Sequence, residues 1–384
     1  MSSRRPRSPA AAPPLEDDNL LSEILLRLSP DPSSLPRASL VSKRWLGLIS
    51  DPGFSRRFLL HHRRNPPLLG FFNPFNFKPV MDPPNRVPDG RFPSCVDEDD
   101  GLGCFIPLGC RHGLVLIFLK SQKQILVRDP FNGEKHRLPV PPLFDAEVTP
   151  ISGSVFRAAG DIQHFQVVLV GTEVDKQQHT RAIACVYSSE TGGWGDIIST
   201  PLPSRASMGE LPNKINMYFT VSVLVGHSLY WLLRHISAGT CTLDGILKFD
   251  LERQILAVIP APVDIAKNNI GQLQVMRADG GGLGILFLSK LRAQLWKRET
   301  NSDGVASWLL GRTIELDKLL SMNSKKYRGP VMIQGFAEYN NVVFLRTTIG
   351  DFKIQLESLQ VKEVPNSRIL TLYYPFESVY AAGI

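Results

Sequence analysis

The pattern of apolar positions divides the chain into three zones. Residues 1–14 (MSSRRPRSPAAAPP) have no apolar periodicity and read as a short disordered basic arm. Residues 15–64 are dense in leucine and read as helical. Leu21, Ile24, Leu25 and Leu28 fall at i, i+3, i+4 and i+7, one apolar face of a helix. Asp17 and Asp18 precede that run, where acids complement the helix dipole. The segment 29–36 holds three prolines and breaks the helix. A second run follows at Ala38, Val41, Trp45, Leu48 and Ile49, stopped by Asp51-Pro52-Gly53. Phe54, Phe58 and Leu59 predict a third short helix. A unit of ~50 residues makes only a marginal core. The surplus apolar surface must therefore face either the third zone or another protein.

Residues 65–384 repeat a different pattern. Five times an apolar strand is followed by a second alternating strand and then a proline-rich or polar stop. The first strands are 112–119, 165–171, 226–233, 282–289 and 341–347; the second are 124–139, 183–197, 246–260, 293–310 and 352–365. The second strands begin 47 to 63 residues apart, near the ~40–50 residues of a propeller blade with loop insertions. Several contain a hairpin turn, such as Phe131-Asn132-Gly133, Thr191-Gly192-Gly193 and Asn301-Ser302-Asp303-Gly304. Residues 67–72 and 369–374 would supply the strands that close the ring, and one helix is suggested near 315–323. The expected fold class is α + β multidomain: a small all-α unit of three short helices at 15–64, then a large all-β propeller-like unit of about six degenerate blades at 65–384.

Composition narrows the function. The formal charge is +7, yet residues 1–65 carry 11 Lys/Arg against 6 Asp/Glu, and the remainder carries 32 against 30. The body is almost neutral, so nothing demands a nucleic-acid partner. Twenty Phe against eight Tyr point to buried aromatic surface. Five irregularly spaced Cys fit a reduced compartment, cytoplasmic or nuclear. The apolar run 114–119 is far shorter than the ~20 residues that span a bilayer, and the first residues lack the apolar core of a signal peptide. No membrane partner is expected.

Several constellations are weighed against metal, cofactor and catalytic chemistry. Cys95, Cys104, Cys110 and His112 lack the tight pairs of a zinc site. Asp97, Glu98, Asp99 and Asp100 lack the alternating ligands of a calcium loop and read as a solvated acidic loop. The Gly280–Gly284 stretch precedes a strand and has no Lys-Ser/Thr, so it reads as a turn between blades. Phe71, Phe72, Phe75 and Phe77 with Arg86 and Arg91 could stack bases, but the surrounding prolines favour an extended packed segment. No catalytic residue, metal or cofactor is expected.

The second zone is specific in another way. The residues LEDD (15–18), LLSEILLRL (20–28), SSLPRASLVSKRW (33–45) and LISDPGFSRRF (48–58) resemble, in order and spacing, the F-box of plant-type F-box proteins. Acids replace the family's opening Leu-Pro, Ser42 stands where the family often has Cys, and the 30–36 linker is slightly longer. The third zone is similar to the β-rich, F-box-associated region that follows many such modules. Cys110-Arg111-His112-Gly113-Leu114-Val115 and the turn Asp129-Pro130-Phe131-Asn132-Gly133 leading to Leu138-Pro139 match its opening repeat.

The resemblance implies a non-catalytic substrate-recognition adaptor of a Skp–cullin–F-box ubiquitin ligase. Its partners would be a Skp-type linker, a cullin through that linker, and a target protein on the β-domain. Carried over residue by residue, the linker-binding set is Leu20, Leu21, Ile24, Leu25, Leu28, Pro30, Leu35, Leu40, Val41 and Trp45, with Lys43 and Arg44 solvated or at the rim. Two alternatives stay open. The propeller could be an enzyme or ligand-binding domain with the F-box as a regulatory handle, or the F-box could serve a scaffold outside any ligase. A central channel that gathers titratable groups would favour the enzyme or ligand reading.

Overall fold

The computed structural model describes residues 17–73, 76–92, 105–144, 150–158, 160–174, 180–202, 217–237, 240–262, 265, 272–322, 329–364 and 372–380. The helical zone holds four short helices where the pattern predicts three: α1 (Asp18–Leu26), α2 (Ser34–Ser39), α3 (Lys43–Ile49) and α4 (Pro52–His62). The second predicted run is split. Ser42 adopts an extended backbone, and its hydroxyl caps α3 by accepting from Trp45 N. Pro36, read as a breaker, sits in the first turn of α2, where a missing N–H is not needed. Asp17 caps α1 through Asn19 N and Leu20 N. The Asp51-Pro52-Gly53 stop also starts α4, with Asp51 accepting from Phe54 N at 2.7 Å and Pro52 in the first turn. Leu21, Leu25, Leu35, Ile49, Phe54 and Phe58 form the helical core.

The rest is six antiparallel sheets arranged as the blades of a closed ring. The closing blade combines Leu68–Phe72 and Phe77–Pro79 with the C-terminal strand Tyr374–Glu377, in register Gly70↔Phe376 and Phe72↔Tyr374. The C-terminal strand of this blade begins later than the expected 369–374, and residues 365–371 lie outside the described residues. The next five blades are centred on the hairpins Leu114–Leu119/Gln124–Arg128, Gln166–Val174/Thr180–Ser188, Ser228–Ser237/Thr240–Asp250, Leu283–Ser289/Arg292–Thr300 and Val342–Thr347/Gly350–Gln355. A short helix, α5 (Leu316–Leu319), lies within the predicted 315–323 segment.

The sequence pattern misses the innermost strand of each blade: Phe105–Arg111, Ser152–Phe156, Met217–Phe219 with Val223–Val225, Leu273–Arg277 and Met332–Ala337. Three of them, Phe105–Arg111, Ser152–Phe156 and Met332–Ala337, carry Gly, Pro or Ser where strands crowd together. A Cβ on Gly335 would sit 2.4 Å from the Tyr373 carbonyl oxygen, and one on Gly153 would meet Leu116, Leu169 and the Val168 carbonyl within 3.1 Å. Phe71, Phe72 and Phe77 are buried, and the Phe72, Phe77, Phe92 and Phe376 rings stack edge-on or tilted, so they pack rather than await bases. Phe75 lies outside the described residues. The Gly280–Gly284 turn joins two strands of one blade instead of two blades.

A four-stranded meander fixes two unlike faces. Turns from first to second and third to fourth strand lie on one face; they are tight, as at 112–113, 226–227, 251–254 and 338–341. Connections from blade to blade leave from the other face. They leave after Pro139, Pro201, Ile259, Glu315 and Val364.

Candidate functional site

The ten residues singled out in the helical zone fall into two sets. Leu21, Leu25 and Leu35 are buried inside the helical core. In the isolated chain Leu21 and Leu25 of the i, i+3, i+4, i+7 stripe belong to the module's own core. Leu28, Pro30 and Trp45 are half-buried. Leu20, Ile24, Leu40 and Val41 are exposed at 49%, 41%, 85% and 62%. Leu46, exposed at 38%, belongs with them and is missed by the pattern.

Leu20 and Ile24 are one turn apart on α1, on the exposed flank of the stripe whose buried members are Leu21 and Leu25. Leu40 and Val41 occupy the break between α2 and α3. Arg44 meets Asp18 at 2.7 Å, which sets the start of α3 beside the start of α1. Both charges are largely solvated, as expected of Lys43 and Arg44. Apolar side chains at such exposure are uncompensated in the isolated chain.

The opposite end of the module is fastened to the tight-turn face of the propeller. The Arg63 guanidinium, just after α4, donates to the carbonyls of Arg157, Ala158 and Asp161. It also meets His112 Nδ1 at 2.9 Å. Asn340 Nδ2 donates to the Pro66 carbonyl at 2.9 Å, and Ser33 donates through its backbone N and its hydroxyl to Asn85 Oδ1. Val379, past the last strand, is buried in the helical core.

Beneath this contact the axis of the ring is filled by a polar network. Arg111 pairs bidentately with Glu338, at 2.6 and 2.9 Å, and both are buried. Arg111 also donates to the Ser154 hydroxyl and, at 3.1 Å, to the Ser222 carbonyl, while Leu224 N donates to Glu338 at 2.8 Å. Burial opposes the Arg111 charge, but the Glu338 carboxylate outweighs it and holds the guanidinium above its usual range. Next to it, Arg157 N and Arg63 both donate to His112 Nδ1, so the ring proton sits on Nε2 and faces the Tyr339 hydroxyl at 2.8 Å. Burial and then the three neighbouring arginines hold His112 well below the usual histidine range. Glu377 is pushed up to about 7, by burial first, against hydrogen bonds from Asn340.

The channel therefore does gather titratable groups. Their arrangement is a satisfied structural plug: Arg111 and Glu338 spend their charges on each other and on serines of neighbouring blades. Among the described residues no group of three or more His, Cys, Asp or Glu could hold a metal ion. Cys95, Cys104 and Asp97–Asp100 lie outside the described residues. No helix of the described residues is long and apolar enough to cross a membrane.

Comparison with known families agrees with this division. Residues 17–57 match the F-box domain. Residues 108–380, more than half of the chain, match the family described as "F-box protein AT5G49610-like, beta-propeller". The chain belongs to that family. As an F-box protein with a C-terminal propeller it fits, in general terms, a substrate adaptor of a Skp–cullin–F-box ligase, and F-box domains generally bind Skp-type linkers. A search of curated proteins gave no match. Solved structures similar to this F-box protein are distant. Dipeptidyl peptidase 4 of Porphyromonas gingivalis is 8% identical with a TM-score of 0.30, over 68% of this chain and 39% of that one. The extracellular domain of the putative one component system BT4673 of B. thetaiotaomicron is 9% identical with a TM-score of 0.28, over 69% and 37%. The WD40 domain of SCAP from fission yeast is 10% identical with a TM-score of 0.21, over 65% and 70%. The chain thus spans about two fifths of the length of the first two.

Proposed function

We propose that this F-box protein is a non-catalytic substrate-recruiting adaptor inside the cell, in cytoplasm or nucleus. Its helical module, within residues 15–64, docks on a Skp-type linker and through it on a cullin; its propeller holds a target protein for ubiquitin transfer by other subunits. The observation that carries this is the set of unpartnered apolar side chains, Leu20, Ile24, Leu40 and Val41, on a module that matches the F-box. Leu46 and the half-buried Leu28, Pro30 and Trp45 complete the docking surface.

The mechanism is proximity. One end is held by the ligase and the other holds the target, so the target's lysines meet the charged conjugating enzyme at high effective concentration. Stiff coupling serves this, and the Arg63 contacts supply it. The target-binding face is the one opposite the helical module, where the blade-to-blade connections leave after Pro139, Pro201, Ile259, Glu315 and Val364. Long loops on a rigid scaffold are free to diversify. The buried Arg111–Glu338 pair favours this reading over a propeller enzyme, since groups consumed by each other are not poised for chemistry.

The test is reconstitution from purified parts. The chain is mixed with a Skp-type linker and a cullin–RING pair and passed over a sizing column. Co-elution of all four supports the adaptor. A folded chain that elutes apart from the linker overturns it.

A further inference from the structure

A cavity of about 180 Å³ lies where α4 meets the axis of the propeller. Its apolar walls come from both units: Leu59 from α4, Pro66 from the linker, and Phe131, Ile162 and Val379 from the propeller. A cavity of ~150 Å³ lined by apolar side chains holds a benzene ring. The space is therefore of aromatic-ring size, and it is not a by-product of one loose domain, because surfaces of both units line it.

The polar groups around it select the charge of an occupant. Arg63 and Arg157 both line the cavity, which at first suggests an anion. Their terminal nitrogens are already committed. Those of Arg63 go to three backbone carbonyls and His112 Nδ1. Those of Arg157 go to the Ile162 and Gln163 carbonyls and to Asp129 Oδ2. Asp129 and Asp161 offset these two cations, which leaves Glu377 as the one carboxylate of the lining without a cation set against it there. Both nitrogens of His112 are engaged as well.

Glu377 is different. It lines the cavity, is 7% exposed, and receives three donors on one oxygen only: Tyr339 N at 3.0 Å, Asn340 N at 2.8 Å and Asn340 Nδ2 at 2.8 Å all reach Oε1. The second oxygen, with the Ser378 hydroxyl of the lining, is left to an occupant. A buried carboxylate needs a counter-charge, and an incoming ammonium supplies one with a charge-assisted hydrogen bond. Phe131 adds an aromatic face for the same cation.

We propose that this junction cavity binds a small monocationic amine whose apolar body is about the size of an aromatic ring, with its ammonium on Glu377 Oε2. Because the occupant touches both α4 and the propeller, its binding stiffens the coupling between the two. The proposal stands apart from the ligase role and survives or fails independently of it.

The full-length chain is titrated with three isosteric probes, benzylamine, benzyl alcohol and benzoate, by calorimetry and saturation-transfer NMR at pH 7.5. Benzylamine is expected to bind at least about tenfold more tightly than benzoate, the order of one charge-assisted hydrogen bond. Leu59→Trp fills the cavity from the helical side and Ile162→Trp from the propeller side, and either is expected to abolish binding with the circular dichroism of the wild type. If one of these fails to fold, the other carries the test. Glu377→Gln keeps an acceptor for the three donors and removes the charge; it is expected to weaken benzylamine about tenfold and leave benzyl alcohol unchanged. Absence of benzylamine binding, equal or tighter binding of benzoate, or binding that persists in a folded cavity-filling variant overturns the proposal.

Discussion

Leu25 and Leu40 separate two roles that the leucine pattern runs together. Leu25 has 0% of its surface exposed, among Leu21, Phe54 and Phe58; Leu40 has 85% exposed. Truncating Leu25 to Ala removes buried methyl groups from a small core and leaves a cavity, which costs about 2–5 kcal/mol of stability. Truncating Leu40 to Ala removes nothing the isolated chain has buried, so folding stability should change by less than about 0.5 kcal/mol. If Leu40 becomes fully buried against a Skp-type linker, the lost transfer energy is about 1.5–3 kcal/mol, or about 10- to 150-fold in Kd. Leu40→Asp should go further, because it buries a carboxylate. The assay pairs calorimetric titration of the linker with urea denaturation of each variant followed through the helical signal. The expected result is a crossed pattern: Leu40→Ala lowers affinity at constant stability, and Leu25→Ala lowers stability first. If Leu40→Asp binds like the wild type, the docking surface is not the exposed face, and the reasoning from exposure to partner fails.

Three further outcomes follow from the junction and the axis. Arg111→Ala should cost about 3–5 kcal/mol in denaturant unfolding of the propeller, since it strands the Glu338 carboxylate without its counter-charge; a loss under about 1 kcal/mol would refute the plug. Arg63→Ala should speed hydrogen exchange in α4 with little change in the propeller's amides, and Arg63→Lys should not rescue it, because one ammonium cannot reach three carbonyls and His112 together; unchanged protection of α4 would count against the clamp. Glu377 should make stability depend on pH. Its folded value near 7 lies above the ordinary 4.5, so between these the unfolded chain has released a proton that the folded chain keeps, and stability falls as pH rises through that window, by about 3 kcal/mol in all, then levels. Denaturation of wild type and Glu377→Gln at pH 5 and pH 8 checks this: the wild type should gain relative to the variant at the lower pH, and equal differences at both would refute it.

The outer geometry of the blades was legible because it rests on local signals. Strands such as Leu114–Leu119 and Val342–Thr347 are continuous apolar runs, and the turns 131–133 and 301–304 carry Gly and Asn where the backbone needs them. Several innermost strands were not legible, since their composition answers to crowding instead of to alternation. Phe105–Arg111 holds Pro107 and Gly109, and Met332–Ala337 holds Gly335 because the Tyr373 carbonyl leaves no room for a Cβ. The pairing of Gly70 with Phe376 spans nearly the whole chain, and local apolar runs at 67–72 and 369–374 could suggest such a closure but not its register.

The site was half legible for a different reason. Helical periodicity reports which positions share a face, but not which face is covered. On α1 the apolar stripe is wider than the core covers: Leu21 and Leu25 point into the core, Leu20 and Ile24 lie on its exposed flank, and one leucine-rich run satisfies both readings. Only the positions of α3, α4 and Val379 decide between them. The junction was less legible still. Arg63, His112, Arg157, Asn340 and Glu377 come from five separate segments and form no motif: Arg63 follows α4, and the other four are placed at turns or strand ends by the meander. What the sequence encodes there is the repeat that returns every blade to the same face; the chemistry of the contact appears only once six such returns are brought round one axis.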